Sequence, residues 1–251
     1  MLIKPVPKQL GNVSLIMTRH KSGIGNMQTK FRLYNNNNSG ILLNSKKKIA
    51  CKTSYHLVSS AFEQFDKKKE SFVGKIRADS SKHSYHIYDN GSSKHSTSLK
   101  NTQSRKELCA IAHRKNASQN SFVKSFDCIL PQIDEEGVQM CPEAKGEFSE
   151  LADGYETSTN HIVMQTVEPK WNDKLQQYVL NFGSDADTKS VKNFKLELKS
   201  GIEVGSGESH EFLEFCKHEE DKFELTFRWP FSVMAAFSAA VSAIEAPVLN
   251  K

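Results

Sequence analysis

The stretch Trp229–Pro247, WPFSVMAAFSAAVSAIEAP, decides the fold. Wound as a helix, it spreads Phe231, Val233, Met234, Ala235, Ala236, Phe237, Ala239, Ala240, Val241, Ala243 and Ile244 over every face. A helix that is apolar all round has to be buried on all sides. Its alanines make it slim. Pro230 suits a first-turn position and Pro247 stops the helix. Phe231 to Ile244 is 14 residues, about 21 Å of helix. A membrane span needs roughly 20 apolar residues, so the segment predicts a buried rod in a soluble or peripheral protein.

Upstream, the chain reads as short strands between turns. NVSLIMTRH, KFRLYNN, GILLNS, YHLVSS, SFVGKIRA, SYHIYDNG, ELCAIAHR, SFDCILPQ, HIVMQTVEP, QQYVLNFG, VKNFKLEL, HEFLEFCK and KFELTFRWP are rich in β-branched and aromatic residues, and many alternate apolar with polar. About a dozen strands at this spacing predict a sandwich or a closed barrel. A slim apolar helix in such a chain predicts strands wrapped around it, or a helix packed between two sheets. Asn35 to Asn38 reads as an elongated hairpin loop. Residues 131–160 are acidic and aperiodic, which predicts a flexible excursion within one domain spanning 1–251.

Charge is divided along the chain. Residues 1–125 hold 23 Lys/Arg against 6 Asp/Glu, and residues 126–251 hold 11 against 23. The basic half suits phosphate-bearing partners, either nucleic acid or an anionic membrane surface. Five cysteines, at 51, 109, 128, 141 and 216, make no CxxC pair. That pattern argues against zinc or redox motifs and fits a reducing compartment. The N-terminus has no apolar run long enough for a signal peptide.

Within the basic half, Phe72–Asp79, FVGKIRAD, places Val73, Lys75 and Arg77 on one strand face and Phe72, Ile76 and Ala78 on the other. The apolar face can sit on a core. The other carries a fixed pair of cations, which is either a solvated edge or an anion clamp.

The motifs PKWNDKLQQYVLNF, SVKNFKLEL and DKFELTFRWPFSVMAAFSAAVSAI, preceded in order by PVPKQLGNVSLIMTRHKSG, KTSYHLVS, FVGKIRAD, HIYDNG and SRKELCAI, resemble the tubby-like family from about Pro5 to Ile244. The resemblance implies a mainly β fold, a closed barrel of roughly twelve strands around a central hydrophobic C-terminal helix. It implies binding of phosphatidylinositol 4,5-bisphosphate at the inner face of the plasma membrane, with adaptor or signalling work. The family's glycine–lysine–x–arginine strand maps onto Lys75 and Arg77, and the arginine before the glutamate–leucine strand onto Arg105. A family asparagine after lysine–threonine–serine is replaced here by Tyr55. The lysine runs Lys46, Lys47, Lys48 and Lys67, Lys68, Lys69 are candidates for attraction to the bilayer.

Other chemistry is poorly supported. His83, His86 and His95 lie near one another, but no carboxylate or thiol follows at ligand spacing, so no metal is implied. GxSxG, HExxH and P-loop patterns are missing from the sequence. The expectation is a non-enzymatic, monomeric binding protein without cofactor, in the cytosol and at the plasma membrane. A nuclear, nucleic-acid-binding or transcription-linked regulator is the alternative, and protein cargo is a further candidate partner.

Overall fold

The computed structural model describes residues 2–23, 28–35, 40–48, 55–92, 103–115, 124–144, 151–157, 160–174, 176–180, 182, 190–207 and 209–249. Among the described residues, fourteen strands precede one α-helix. They are β1 (Val13–Ser22), β2 (Gln28–Asn35), β3 (Ile41–Lys48), β4 (Tyr55–Ser59), β5 (Phe72–Ala78), β6 (Ser84–Asp89), β7 (Glu107–Arg114), β8 (Ser125–Pro131), β9 (His161–Thr166), β10 (Lys170–Asn172), β11 (Gln177–Val179), β12 (Phe194–Ser200), β13 (Glu211–Glu219) and β14 (Lys222–Phe227). The helix is α1 (Val233–Glu245).

Twelve strands close a barrel in chain order, β1 through β9 and then β12, β13 and β14, which returns to pair with β1. Each neighbouring pair is antiparallel, and β10–β11 form a separate hairpin. Closure removes the exposed sheet edge that an open meander would carry. It also leaves a lumen wide enough for a helix. Of the two arrangements that the sequence left open, the barrel around the helix is the one observed.

The lumen is filled by α1, whose residues Met234 through Ala243 are all buried. The wall supplies the large side chains that a thin helix requires. A run of rings, His113–Phe126–Phe194–Phe215–Phe223, crosses the inner wall with centroids 4.9 to 5.5 Å apart. The serine hydroxyls within α1 are satisfied locally: Ser238 Oγ donates to Met234 O at 2.7 Å and Ser242 Oγ to Ala239 O at 2.9 Å.

Both helix ends are tied to the barrel. Ser232 is the N-cap, its hydroxyl accepting from Ala235 N at 3.1 Å. Met234 N donates to Leu2 O, so the N-terminal segment closes this end. Helix therefore starts at Val233, not at Pro230, which lies before the cap in a cis peptide. The serine cap, not the proline, fixes the boundary. At the other end Lys124 Nζ donates to Ala243 O at 2.5 Å and to Ala246 O. A cation there meets the negative end of the helix dipole and its open carbonyls. Glu245, the last helical residue, is 3.0 Å from Lys47 Nζ and 3.2 Å from His56 Nε2.

Part of the acidic stretch lies against the outer wall. Residues 133 and 139 bridge to each other, and Glu143 bridges to Lys106. Leu151 packs on Ala110 and Ile129, and the Tyr155 hydroxyl donates to Asp127 Oδ2 at 3.0 Å.

Candidate functional site

Strand β5 alternates as the sequence predicts: Phe72, Ile76 and Ala78 are buried in the wall, while Val73, Lys75 and Arg77 are half-buried on the outer face. Gly74 is demanded by the pairing with β6. A Cβ there would lie 2.1 Å from the Tyr88 carbonyl oxygen. Its absence lets β5 and β6 approach closely, just where Lys75 needs a fixed position.

Register then decides who surrounds the two cations. Arg77 stands opposite Tyr55 on β4 and His86 on β6, and Lys75 opposite Leu57 and Tyr88. Lys75 Nζ sits 4.5 Å from the centre of the Tyr55 ring, close enough for a cation–π attraction. Arg105, from the segment entering β7, lays its guanidinium 4.4 Å from the centre of the Tyr88 ring. Tyr88, buried, is thus the floor under Arg105 and the cross-strand neighbour of Lys75. Burial, with the charge of Glu107, pushes its phenol up to about 12, against the opposing pull of Arg105 and Arg77. The hydroxyl stays neutral, and those two guanidiniums are near enough to act on it.

Arg105 is held through its backbone. Its N–H donates to Ser92 O at 3.0 Å, and its carbonyl accepts from Ala144 N at 2.8 Å. Asp89 Oδ1 accepts from Gly91 N and Lys106 N, each at 2.9 Å, pinning the turn to the segment. Gly91 runs so close that a Cβ there would be 2.5 Å from Arg105 Cα. The Arg105 Nε is buried and has no hydrogen-bond partner among the described residues. A buried guanidinium N–H without an acceptor is costly in a protein that never meets an anion there.

The other sequence candidates divide. Lys46 and Lys48 stand opposite Leu57 and Tyr55, so they share the outer face with Lys75 and Arg77. Lys47 alternates to the inner face and is spoken for by Glu245. Lys67, Lys68 and Lys69 are exposed in the β4–β5 connection, at the end of β5 away from Arg77. Lys52, Thr53 and Ser54 of the motif before Tyr55, and His95, lie outside the described residues. No cluster of three or more metal-ligating side chains occurs among the described residues.

Sequence reading missed three members of the site. Tyr88 and His86 alternate on β6 and Glu107 begins β7, but nothing in the sequence says which residues of β5 they face. His86 Nδ1 is 3.3 Å from Glu107 Oε1. The outer face thus carries Lys75 over the Tyr55 ring, Arg105 over the Tyr88 ring and Arg77 opposite Tyr55 and His86, donors of the kind that pair with carboxylate or phosphate oxygens.

The profile of the Tub family matches residues 2–246. Tubby-related protein 3 of Mus musculus is 27% identical over 208 residues, covering 81% of this chain and 44% of its own. Protein king tubby of Drosophila sechellia is 27% identical over 210 residues, covering 82% and 45%. King tubby of Drosophila pseudoobscura pseudoobscura is 28% identical over the same length, covering 82% and 44%. The chain therefore spans somewhat under half the length of these relatives.

Proposed function

The chain belongs to the Tub family, and from that premise we propose that its barrel is a phosphoinositide-binding module, docking through Lys75, Arg77 and Arg105 on phosphatidylinositol 4,5-bisphosphate in an anionic membrane surface. The observation that carries this reading is the Tyr88 floor. Arg105, about thirty residues away in sequence, lies over the ring of Tyr88, the cross-strand partner of Lys75, and its buried N–H has no acceptor among the described residues.

The chemistry fits the ligand class. A bisphosphorylated inositol presents two phosphates, each with more than one negative charge near neutral pH. Arg77 and Arg105 can engage phosphate oxygens with planar forks, and Lys75 supplies a compact charge. Tyr55 limits how far Lys75 can swing, so less side-chain entropy is lost on binding. Lys46 and Lys48, on the same face, add about 1 kcal/mol each near an anionic bilayer. Lys47 adds none, being committed to Glu245. A barrel held to the membrane in this way leaves the rest of its outer wall for protein partners, which suits adaptor or signalling work at the cytoplasmic face of the plasma membrane.

Vesicle sedimentation tests the reading. Wild type should pellet with vesicles containing phosphatidylinositol 4,5-bisphosphate and stay in solution with phosphatidylcholine alone. Replacing Lys75 and Arg77 together by Ala removes two charge-assisted partners, about 3 kcal/mol or more, and should weaken binding at least about a hundredfold. Undiminished pelleting of a folded double variant sinks the proposal. Tight, salt-resistant binding to duplex DNA in place of vesicles points to the nuclear alternative instead.

A further inference from the structure

We propose that His86, held by the buried carboxylate of Glu107, is a further phosphate-binding residue of this site, and that the chain takes up a proton at His86 as it binds a phosphorylated headgroup. The inference rests on the phosphoinositide reading above and deepens it.

His86 is on the outer face of β6, directly across from Arg77 and two residues from Tyr88. Its ring stacks toward the Tyr88 ring at 6.5 Å and 29°. It therefore borders the same patch as the three cations. Its Nδ1 faces Glu107 Oε1 at 3.3 Å, and Glu107 is only 1% exposed. The other oxygen of Glu107 accepts from Leu151 N at 3.3 Å. With Nδ1 protonated, the ring donates to Glu107 Oε1, a pairing that suits a carboxylate this deep.

The second ring nitrogen then decides the behaviour. In the neutral ring Nε2 carries a lone pair and cannot donate to phosphate. In the imidazolium both nitrogens donate, Nδ1 to Glu107 and Nε2 to an anion. The charged groups facing the ring are Arg77 from β5, Glu107 from β7, and Arg105 beyond Tyr88. The charge of Glu107 also reaches His161. From the acidic stretch on the outer wall, Leu151 directs its backbone N–H at Glu107. Arg77 and Arg105 carry the same sign of charge as an imidazolium, and Glu107 the opposite sign. A phosphate dianion tips the balance toward the proton. By reciprocity, protonation must then strengthen phosphate binding.

This gives a signature that a site of Lys and Arg alone lacks. Phosphate itself loses charge as pH falls toward about 6, so such a site weakens on acidification, and a protonating histidine counters that trend. The experiment compares wild type, His86→Gln, His86→Asn, Glu107→Gln and the Lys75→Ala/Arg77→Ala double variant between about pH 8 and about pH 6. Each is titrated with vesicles containing phosphatidylinositol 4,5-bisphosphate and with soluble inositol 1,4,5-trisphosphate, after thermal unfolding has verified the fold. The ratio of the Kd of His86→Gln to that of wild type should stay within a few-fold at the alkaline end and rise about tenfold toward the acid end, one proton's worth. His86→Asn should behave alike, and Glu107→Gln should flatten the wild-type pH dependence. A ratio constant with pH overturns the assignment, as does a rise confined to vesicles, which would put the effect at the bilayer surface. If the double variant still binds, the site reading itself has failed. If it does not bind, yet His86→Gln parallels wild type, only His86 has been misassigned.

Discussion

Replacing Gly74 by Ala should damage fold and site together. The added Cβ would lie 2.1 Å from the Tyr88 oxygen, 3.2 Å from its carbonyl carbon and 3.3 Å from Asp89 Cα. All three are backbone atoms of β6, so no side chain can rotate away. Relief requires β5 and β6 to part by about 1 Å, the kind of overpacking that costs about 1–3 kcal/mol. For a chain of 251 residues, that is a fall in melting temperature of roughly 2–12 °C. The same displacement moves Lys75 away from its cross-strand neighbour Tyr88, with loss of one charge-assisted hydrogen bond, about 1.5–3 kcal/mol, or about tenfold or more in headgroup affinity. Differential scanning fluorimetry and titration with inositol 1,4,5-trisphosphate read the two effects separately. A Gly74→Ala variant with wild-type melting temperature and affinity would refute the claim that close β5–β6 pairing positions the cations.

The helix-end cluster makes the protein acid-labile in two windows. Burial alone would raise the Glu245 carboxyl, but His56 and Lys47 prevail and hold it at about 2, against an ordinary 4.5. Its folded-state value is depressed, so its stabilisation of about 3 kcal/mol is present above pH 4.5 and lost as pH falls through about 2. Glu245→Gln should lower the melting temperature at neutral pH and converge with wild type at the acid limit. His113 is pushed down to about 3 by burial, helped by the charge of Lys124. The unfolded chain binds its proton first, so stability should already decline as pH drops below about 6.5, and His113→Phe should make that decline shallower in pH-dependent denaturant melts. Tyr88→Leu keeps the floor apolar but removes the aromatic face under Arg105. It should weaken vesicle binding several-fold with a melting temperature within a few degrees of wild type, and an unchanged affinity would show that Arg105 needs no platform.

Much of the architecture was legible because its signals are local. An alanine-rich segment without a polar face has nowhere to go but a closed interior, and the period-two alternation of FVGKIRA puts Lys75 and Arg77 on one face without knowledge of any neighbour. What stayed hidden depends on pairing between strands. Tyr88 meets Glu107 only through a register shift after Ile87, a bulge that residue types do not announce. Lys47 looks like its neighbours in a triple-lysine run, yet alternation turns it inward to Glu245, a partner 198 residues away. Pro230 suggested a helix start from residue preference alone, but the serine two positions later makes the capping bond.

On the proposed function, Lys75, Arg77 and Arg105 together hold one phosphorylated inositol ring. A crystal structure of the protein with inositol 1,4,5-trisphosphate tests it most directly. The headgroup should lie over Tyr88, with phosphate oxygens within hydrogen-bonding reach of all three side chains. A headgroup seated elsewhere on the barrel, or one touching none of the three, would contradict it.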